Sequence, residues 1–226
     1  MIERLSKTQI DKLGERLKSA QPSDSDLQEL DEYRRSFGEP YETVVSAIRD
    51  RLELEATGRP AKTIPSVREK LRRESIRLTQ IQDIAGCRLV VPGIAEQNNV
   101  VARLCDLFPN ARVIDRRAAP SHGYRAVHVI PTIEGKHVEI QVRTTMQHRW
   151  AEVSEKCFDV DPDIKYGGGK RNTRDLLLKM SDSVYESELL EELSQQALQI
   201  EMPQNKESQQ TEHGLGPLTA RVRERT

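Results

Sequence analysis

Residues 137–143, HVEIQVR, alternate apolar Val138, Ile140 and Val142 with polar His137, Glu139, Gln141 and Arg143, the period of a strand with one buried and one exposed face. Three other β-rich runs precede it: CRLVV at 87–91, ARVID at 111–115 and YRAVHVI at 124–130. Helical spacing surrounds and interrupts these runs, so the chain is confined to an α/β class with a mixed sheet flanked by helices. The question left by that pattern is what the polar face of 137–143 serves.

Leu5, Ile10, Leu13 and Leu17 predict a helix over 4–19, and Leu27, Leu30, Tyr33, Val44, Ile48 and Leu52 a longer one over 24–56 that Pro40 is placed to interrupt. Gly and Pro mark 58–66 as a loop, with helices expected at 67–78, 96–107 and 144–157; the glycines at 167–169 break the pattern before a last helix over 172–200. A chain of 226 residues can bury one proper core. The expected organisation is a helical region at 1–39, a central domain at 40–180, an acidic helix at 181–202 and a tail at 203–226. That helix holds six acidic residues and no Lys or Arg, a pattern that reads first as a solvated face and second as a cover for a basic surface. The tail has few core-forming residues and is expected to be disordered.

The net charge of −1 says nothing about partners, but 59–88 holds eight basic residues against three acidic ones. Such a surface suits a polyphosphate or nucleic acid, and equally a solvated helix face. Cys87, Cys105 and Cys157 lie far apart with no CxxC and no zinc spacing, so they read as reduced thiols in a cytoplasmic protein. Neither a signal-peptide run nor a membrane-length apolar stretch is present, so a soluble chain without a membrane partner is expected.

Ser66 and Glu69 have capping-box spacing, which would place a helix N-terminus between Lys62 and Lys70, a suitable cradle for phosphate. Asp83 precedes a strand, with Gly86 expected to turn the backbone between them, and reads either as a turn residue or as a ligand. Glu139 breaks local β preference in mid-strand, a mark of function. Two carboxylates near one sheet edge could hold Mg²⁺, which takes hard oxygen ligands and leaves room for substrate phosphates. Tyr124 could stack on a base or simply belong to the core. His128 and His148 fit acid/base work or a hydrogen-bonded structural place, and Trp150 reads as packing.

The segments RPAKTIPSVREKL, DIAGCR, GYRAVH and VEIQVRT, in this order over about residues 40–160, resemble the synthetase domain of RelA/SpoT-type alarmone synthetases. With no hydrolase domain ahead and no long regulatory region behind, the chain is similar to the small single-domain members. The resemblance implies a nucleotidyltransferase-like fold and transfer of the β,γ-pyrophosphoryl group of ATP to a 3′-hydroxyl, releasing AMP. It makes Asp83 and Glu139 the Mg²⁺ carboxylates, with Glu139 also the base. By the same resemblance Lys62 and Ser66, with Lys70 beside them, meet the triphosphate, and Arg88 packs on adenine. Arg59 is the other nucleotide-facing Arg, in R-P-A-K where R-x-K is usual. Tyr124 corresponds to the stacking residue for the acceptor base, with His128, Gln141 and Arg143 on the same side.

Guanosine-nucleotide synthetases of this family commonly read P-K-x-N-G-Y-R-S-x-H, whereas this chain has PSHGYRAVH, with Ser121 and His122 where the acceptor-phosphate Lys is expected. That departure favours, slightly, the toxin-type subgroup that modifies the 3′ end of tRNA, with GDP or GTP close behind. Arg72, Arg73, Arg112, Arg116 and Arg117 could hold a tRNA backbone or be ordinary surface charge. A toxin would bring an antitoxin protein as partner; a homo-oligomer is another partner left open. A different class also stays open, a catalytically silent nucleotide- or RNA-binding module.

Overall fold

A computed structural model of the chain describes residues 6–201; the tail expected to be disordered lies outside the described residues. The order is α1 (Lys7–Leu17), α2 (Asp24–Arg35), α3 (Gly38–Leu52), β1 (Thr57–Arg59), α4 (Ile64–Arg73), a 3₁₀ turn, β2 (Ala85–Val91), α5 (Ile94–Leu107), β3 (Arg112–Asp115), β4 (Val127–Ile130), β5 (Thr132–Ile133), β6 (Lys136–Thr144), α6 (Thr145–Val160), a second 3₁₀ turn and α7 (Arg171–Glu201).

The strands form one mixed sheet in the order β1-β2-β6-β4-β3, with β5 paired to β6. Among the described residues only β2 and β6 run parallel, with Gly86 opposite Glu139 and Arg88 opposite Gln141. The alternation that marked 137–143 has its physical cause here. Val138, Ile140 and Val142 are fully buried in a core shared with Leu13, Leu17, Leu30, Val44, Ile48 and Leu104 from the helices, so one face of β6 is fixed by apolar burial. Its other face is left to carry Glu139, Gln141 and Arg143.

The interruption expected at Pro40 is present: α2 ends at Arg35 and Pro40 lies in the first turn of α3, where a missing N–H costs nothing. Several boundaries differ from the sequence expectation. The stretch read as a loop from 58 begins with edge strand β1, paired to β2. The capping box at Ser66 does not form; Thr63 is the N-cap, accepting from the Ser66 N–H at 3.4 Å. Ser66 therefore lies inside the first turn, and Thr63 supplies the ~1 kcal/mol that such a cap contributes. Gly86 is not a turn residue but sits inside β2. A Cβ there would stand 3.0 Å from the Glu139 carbonyl oxygen, so the bare position lets the two strands lie close. Strand β4 begins at Val127 rather than at Tyr124, which belongs to the loop before it and pairs only through a bridge with Ser121.

Candidate active site

The polar side of the sheet opens on a cleft of roughly 600 Å³ whose walls include Lys70, Asp83, Arg116, Tyr124, His128, Glu139, Gln141 and Arg143. Asp83 sits two residues before β2 and Glu139 on the neighbouring parallel strand. Residues 56 positions apart thus reach one cavity because β2 and β6, joined by a long crossover, are sheet neighbours.

Asp83 is held by two cations, Lys62 Nζ at 2.6 Å from Oδ2 and Lys70 Nζ at 3.0 Å from Oδ1. Burial raises its pKa, but the charges and hydrogen bonds of Lys62 and Lys70 outweigh it and bring the carboxyl down to about 2. Lys70 is delivered by α4, while Lys62 is anchored by its own N–H donating to the Ile84 carbonyl.

Glu139 is 13% exposed and its Oε1 lies 2.9 Å from His128 Nδ1, while Gln141 Nε2 donates to Oε2 at 2.7 Å. Burial pushes this carboxyl up, and the bonds and charge of His128, helped by Gln141, more than reverse that; Asp83 opposes ionisation weakly. Two ionised carboxylates thus face one cleft and sense each other. The other nitrogen of His128 lies 3.0 Å from the Tyr124 hydroxyl, giving a Tyr124–His128–Glu139 chain. Arg143 donates to the Gln141 amide oxygen at 2.8 Å and lies 4.9 Å over the Tyr124 ring. One Arg143 nitrogen, Nη1, is buried without a hydrogen-bond partner among the described residues.

The remaining candidates lie around this group. Arg88 is in the same cross-strand row as Gln141 and has a buried, unpartnered Nε. Arg59 is exposed on β1, paired in register with Gly86. Ser66 is half-buried on α4, its hydroxyl accepting from Thr63 Oγ1 at 2.8 Å, and is not among the cleft-lining residues. Burial, with the charge of Glu139, pushes the Cys87 thiol up to about 12, which leaves it unreactive. Trp150 packs against Ala151, Ile164 and Leu177 as expected.

Much of the basic surface proves to be internally committed. Arg68 and Arg72 donate to the carbonyls of residues 17–20, at and just beyond the end of α1, where a helix terminus leaves carbonyls unpaired. Arg73 lies 3.6 Å over the Tyr166 ring and pairs with Glu74 at 2.8 Å, and Arg117 is forked onto Asp115. Arg116, one of the arginines considered for a nucleic-acid backbone, faces the cleft, as do Lys165 and Tyr166, which pattern reasoning missed. The only signal was indirect, a Tyr next to the glycines of 167–169.

In the acidic segment Asp182, Glu186 and Glu191 are exposed and Glu192 half-buried, so the solvated-face reading holds there, with one exception among the described acidic residues. Glu188 is 2% exposed, with Thr144 donating to one oxygen and Gln147 to the other, at 2.9 Å for the latter. Burial pushes this carboxyl up, and the hydrogen bonds of Thr144 and Gln147 at the start of α6 oppose that only in part.

For Mg²⁺, the donor chemistry fits: of the four acidic residues lining the cleft, Glu74, Asp83, Glu139 and Glu155, the pair Asp83 and Glu139 sits on the sheet floor, while among the described residues no cluster of three or more His, Cys, Asp or Glu could hold an ion. Hard oxygen ligands in pairs, completed by water and phosphate, suit Mg²⁺ rather than a closed protein cage.

Comparison with known proteins agrees with this geometry. Residues 58–158 match the family described as a region found in RelA / SpoT proteins. Over 123 residues the chain is 38% identical to an uncharacterized protein of Mycobacterium tuberculosis, covering 53% of this chain and 43% of that one. Over 127 residues it is 33% identical to a GTP pyrophosphokinase of Bacillus subtilis, covering 50% of this chain and 57% of that one. The chain thus spans less than two thirds of the length of these curated relatives. The fold is similar to small alarmone synthetase 1 of Bacillus subtilis, solved with its product pppGpp, at a TM-score of 0.54 and 24% identity over 76% of this chain and 100% of that one.

Proposed function

The chain belongs to the RelA/SpoT family by its residues 58–158, and on that premise we propose that it is an ATP-dependent 3′-pyrophosphokinase whose acceptor is a guanosine nucleotide. The observation that carries this reading is the approach of two ionised carboxylates, Asp83 and Glu139, to one cleft that also contains Lys70, Arg116 and Arg143. Phosphoryl transfer needs mainly positioning and neutralised charge. The curated relative named a GTP pyrophosphokinase supports the choice of acceptor.

In this reading Asp83 and Glu139 hold Mg²⁺, which supplies charge neutralisation along the triphosphate. Lys62 and Lys70 exchange Asp83 for phosphate oxygens, Ser66 and the first turn of α4 lie beside them, and Arg88 and Arg59 flank the adenosine. Tyr124 stacks on the acceptor base, with Gln141 and Arg143 beneath it. Glu139 takes the proton from the acceptor 3′-hydroxyl as its oxygen attacks the β-phosphorus of ATP; the bond from that phosphorus to the α,β-bridging oxygen breaks, and AMP leaves. His128 holds Glu139 in place through Nδ1.

A second reading, the 3′ end of tRNA as acceptor, is favoured by Ser121 and His122 lining the cleft where a Lys meets the acceptor phosphates in guanosine-nucleotide synthetases. Against it stands the commitment of Arg72, Arg73 and Arg117 to partners within the chain, which leaves Arg112 and Arg116 of the five arginines considered for a tRNA backbone. Incubation of the protein with Mg²⁺, γ-labelled ATP and GDP, GTP or deacylated tRNA separates them. Label in a guanosine nucleotide with equimolar AMP is expected; label confined to tRNA would transfer the conclusion to the second reading. Absence of AMP release with every acceptor would leave a binding module.

A further inference from the structure

Tyr124 stands in a loop outside the ladder of β4; the sheet meets its hydroxyl through His128 and Arg143, but the backbone of the loop is held from elsewhere. The residues on either side of Tyr124 are tied to the last helix. Ser181 of α7, 2% exposed, donates its hydroxyl to the Gly123 carbonyl at 2.6 Å and accepts from Arg125 Nε at 3.0 Å. Arg125 Nη2 donates to Asp182 Oδ1 at 2.7 Å, and the guanidinium lies 4.5 Å over the Tyr185 ring. Its third nitrogen, Nη1, donates to the Arg117 carbonyl.

One turn earlier, the Leu177 carbonyl accepts from Trp150 Nε1 at 2.8 Å. Trp150 in turn presses on Gly123, where φ is +88° and an added Cβ would stand 2.7 Å from the ring. Only a glycine satisfies both conditions. None of Ser181, Asp182 and Tyr185 lines the cleft, so none of them touches a substrate placed there.

We infer that Ser181 and Asp182 are positioning residues for the acceptor: through Gly123 and Arg125, the last helix holds the Tyr124 ring where an acceptor base can stack. The inference rests on the reading of Tyr124 as the acceptor platform. A platform fixed before binding spares the complex the entropy of ordering it, so the effect belongs to acceptor affinity rather than to ATP. Removing the Ser181 hydroxyl leaves a buried donor on Arg125 and a buried acceptor on Gly123 without partners, a loss that loosens the loop.

The test uses full-length Ser181→Ala, Asp182→Ala and Asp182→Asn proteins. Asp182 is 65% exposed at its side chain, so its variants should fold even if Ser181→Ala does not. For Ser181→Ala and Asp182→Ala, KM for the acceptor should rise about tenfold, with KM for ATP and kcat within about twofold of wild type, as expected for lost ground-state positioning. Asp182→Asn, which keeps an oxygen for Arg125, should lie closer to wild type. Amide exchange over residues 119–126 should quicken in both Ala variants and stay unchanged over 85–91. Unchanged exchange at 119–126, a parallel rise in both KM values, or a fall in kcat alone would overturn the inference. Wild-type protein that transfers to no acceptor would instead remove the proposed function, and the positioning role with it.

Discussion

Glu139→Gln is expected to lower pyrophosphoryl transfer by about 10² to 10⁴-fold, the usual worth of a positioned general base, while the protein stays folded and binds ATP. Gln preserves the shape of the side chain and can still meet His128 and Gln141, which hold Glu139 at 2.9 and 2.7 Å. What it removes is a negative charge in the cleft and the capacity to take a proton. Because His128 and Gln141 keep the Glu139 carboxyl below its ordinary value despite burial, the wild-type group is already ionised near neutral pH and needs no prior deprotonation. Single-turnover AMP release, measured beside nucleotide binding, checks this. Transfer within about threefold of wild type would take the base assignment from Glu139.

Asp83→Asn is expected to lower Mg²⁺-supported transfer by at least about 10²-fold, since one of two metal carboxylates disappears. Its second effect has the opposite sign. Lys62 and Lys70 now neutralise Asp83 at 2.6 and 3.0 Å, and the variant frees both for phosphate. ATP without metal should therefore bind more tightly to Asp83→Asn than to wild type, while ATP with Mg²⁺ binds less tightly. Calorimetric titration with and without chelator reads both.

The same ion pairs have a stability signature. The folded carboxyl at about 2 lies below the ordinary value of 3.8, so its contribution is complete above the unfolded value and is lost as pH falls from about 4 toward 2. Asp83→Asn should thus lose stability at neutral pH, by about 1 to 3 kcal/mol for a partly buried pair, and differ less from wild type at pH 2. Equal losses at both pH values would contradict the ion-pair account.

The sheet and most helices were legible because apolar spacing decides them: the 2-residue period of β6 and the helical spacing of α1 and α3 are statements about burial. Glu139 stood out as an anomaly, a charged side chain where β propensity would not place it, while Asp83 read equally as a turn residue. Local capping was misread because Ser66 and Thr63 are both N-cap residue types and only Ser66 has the S-x-x-E spacing, whereas the backbone path selects Thr63. In the acidic segment of α7, exposed as its charge suggests apart from one residue, the buried place of Glu188 was not legible for another reason. Its charge suggested water, yet Glu188 is balanced by the Thr144 and Gln147 donors from a distant part of the chain, and no local pattern encodes that pairing. The same holds for Ser181, an unremarkable serine in the sequence whose two partners lie 58 and 56 positions away. Arg68 and Arg72 show the converse, charges that suggested a ligand but terminate α1.

Diffraction from crystals grown with Mn²⁺ and a non-hydrolysable ATP analogue, recorded at the manganese absorption edge, probes the shared carboxylate site directly. The expected result is an anomalous peak about 2.0–2.3 Å from a carboxylate oxygen of both Asp83 and Glu139, with phosphate oxygens completing its shell. A manganese ion bound to phosphates alone, with Asp83 still held by Lys62 and Lys70 and Glu139 by His128, would contradict it.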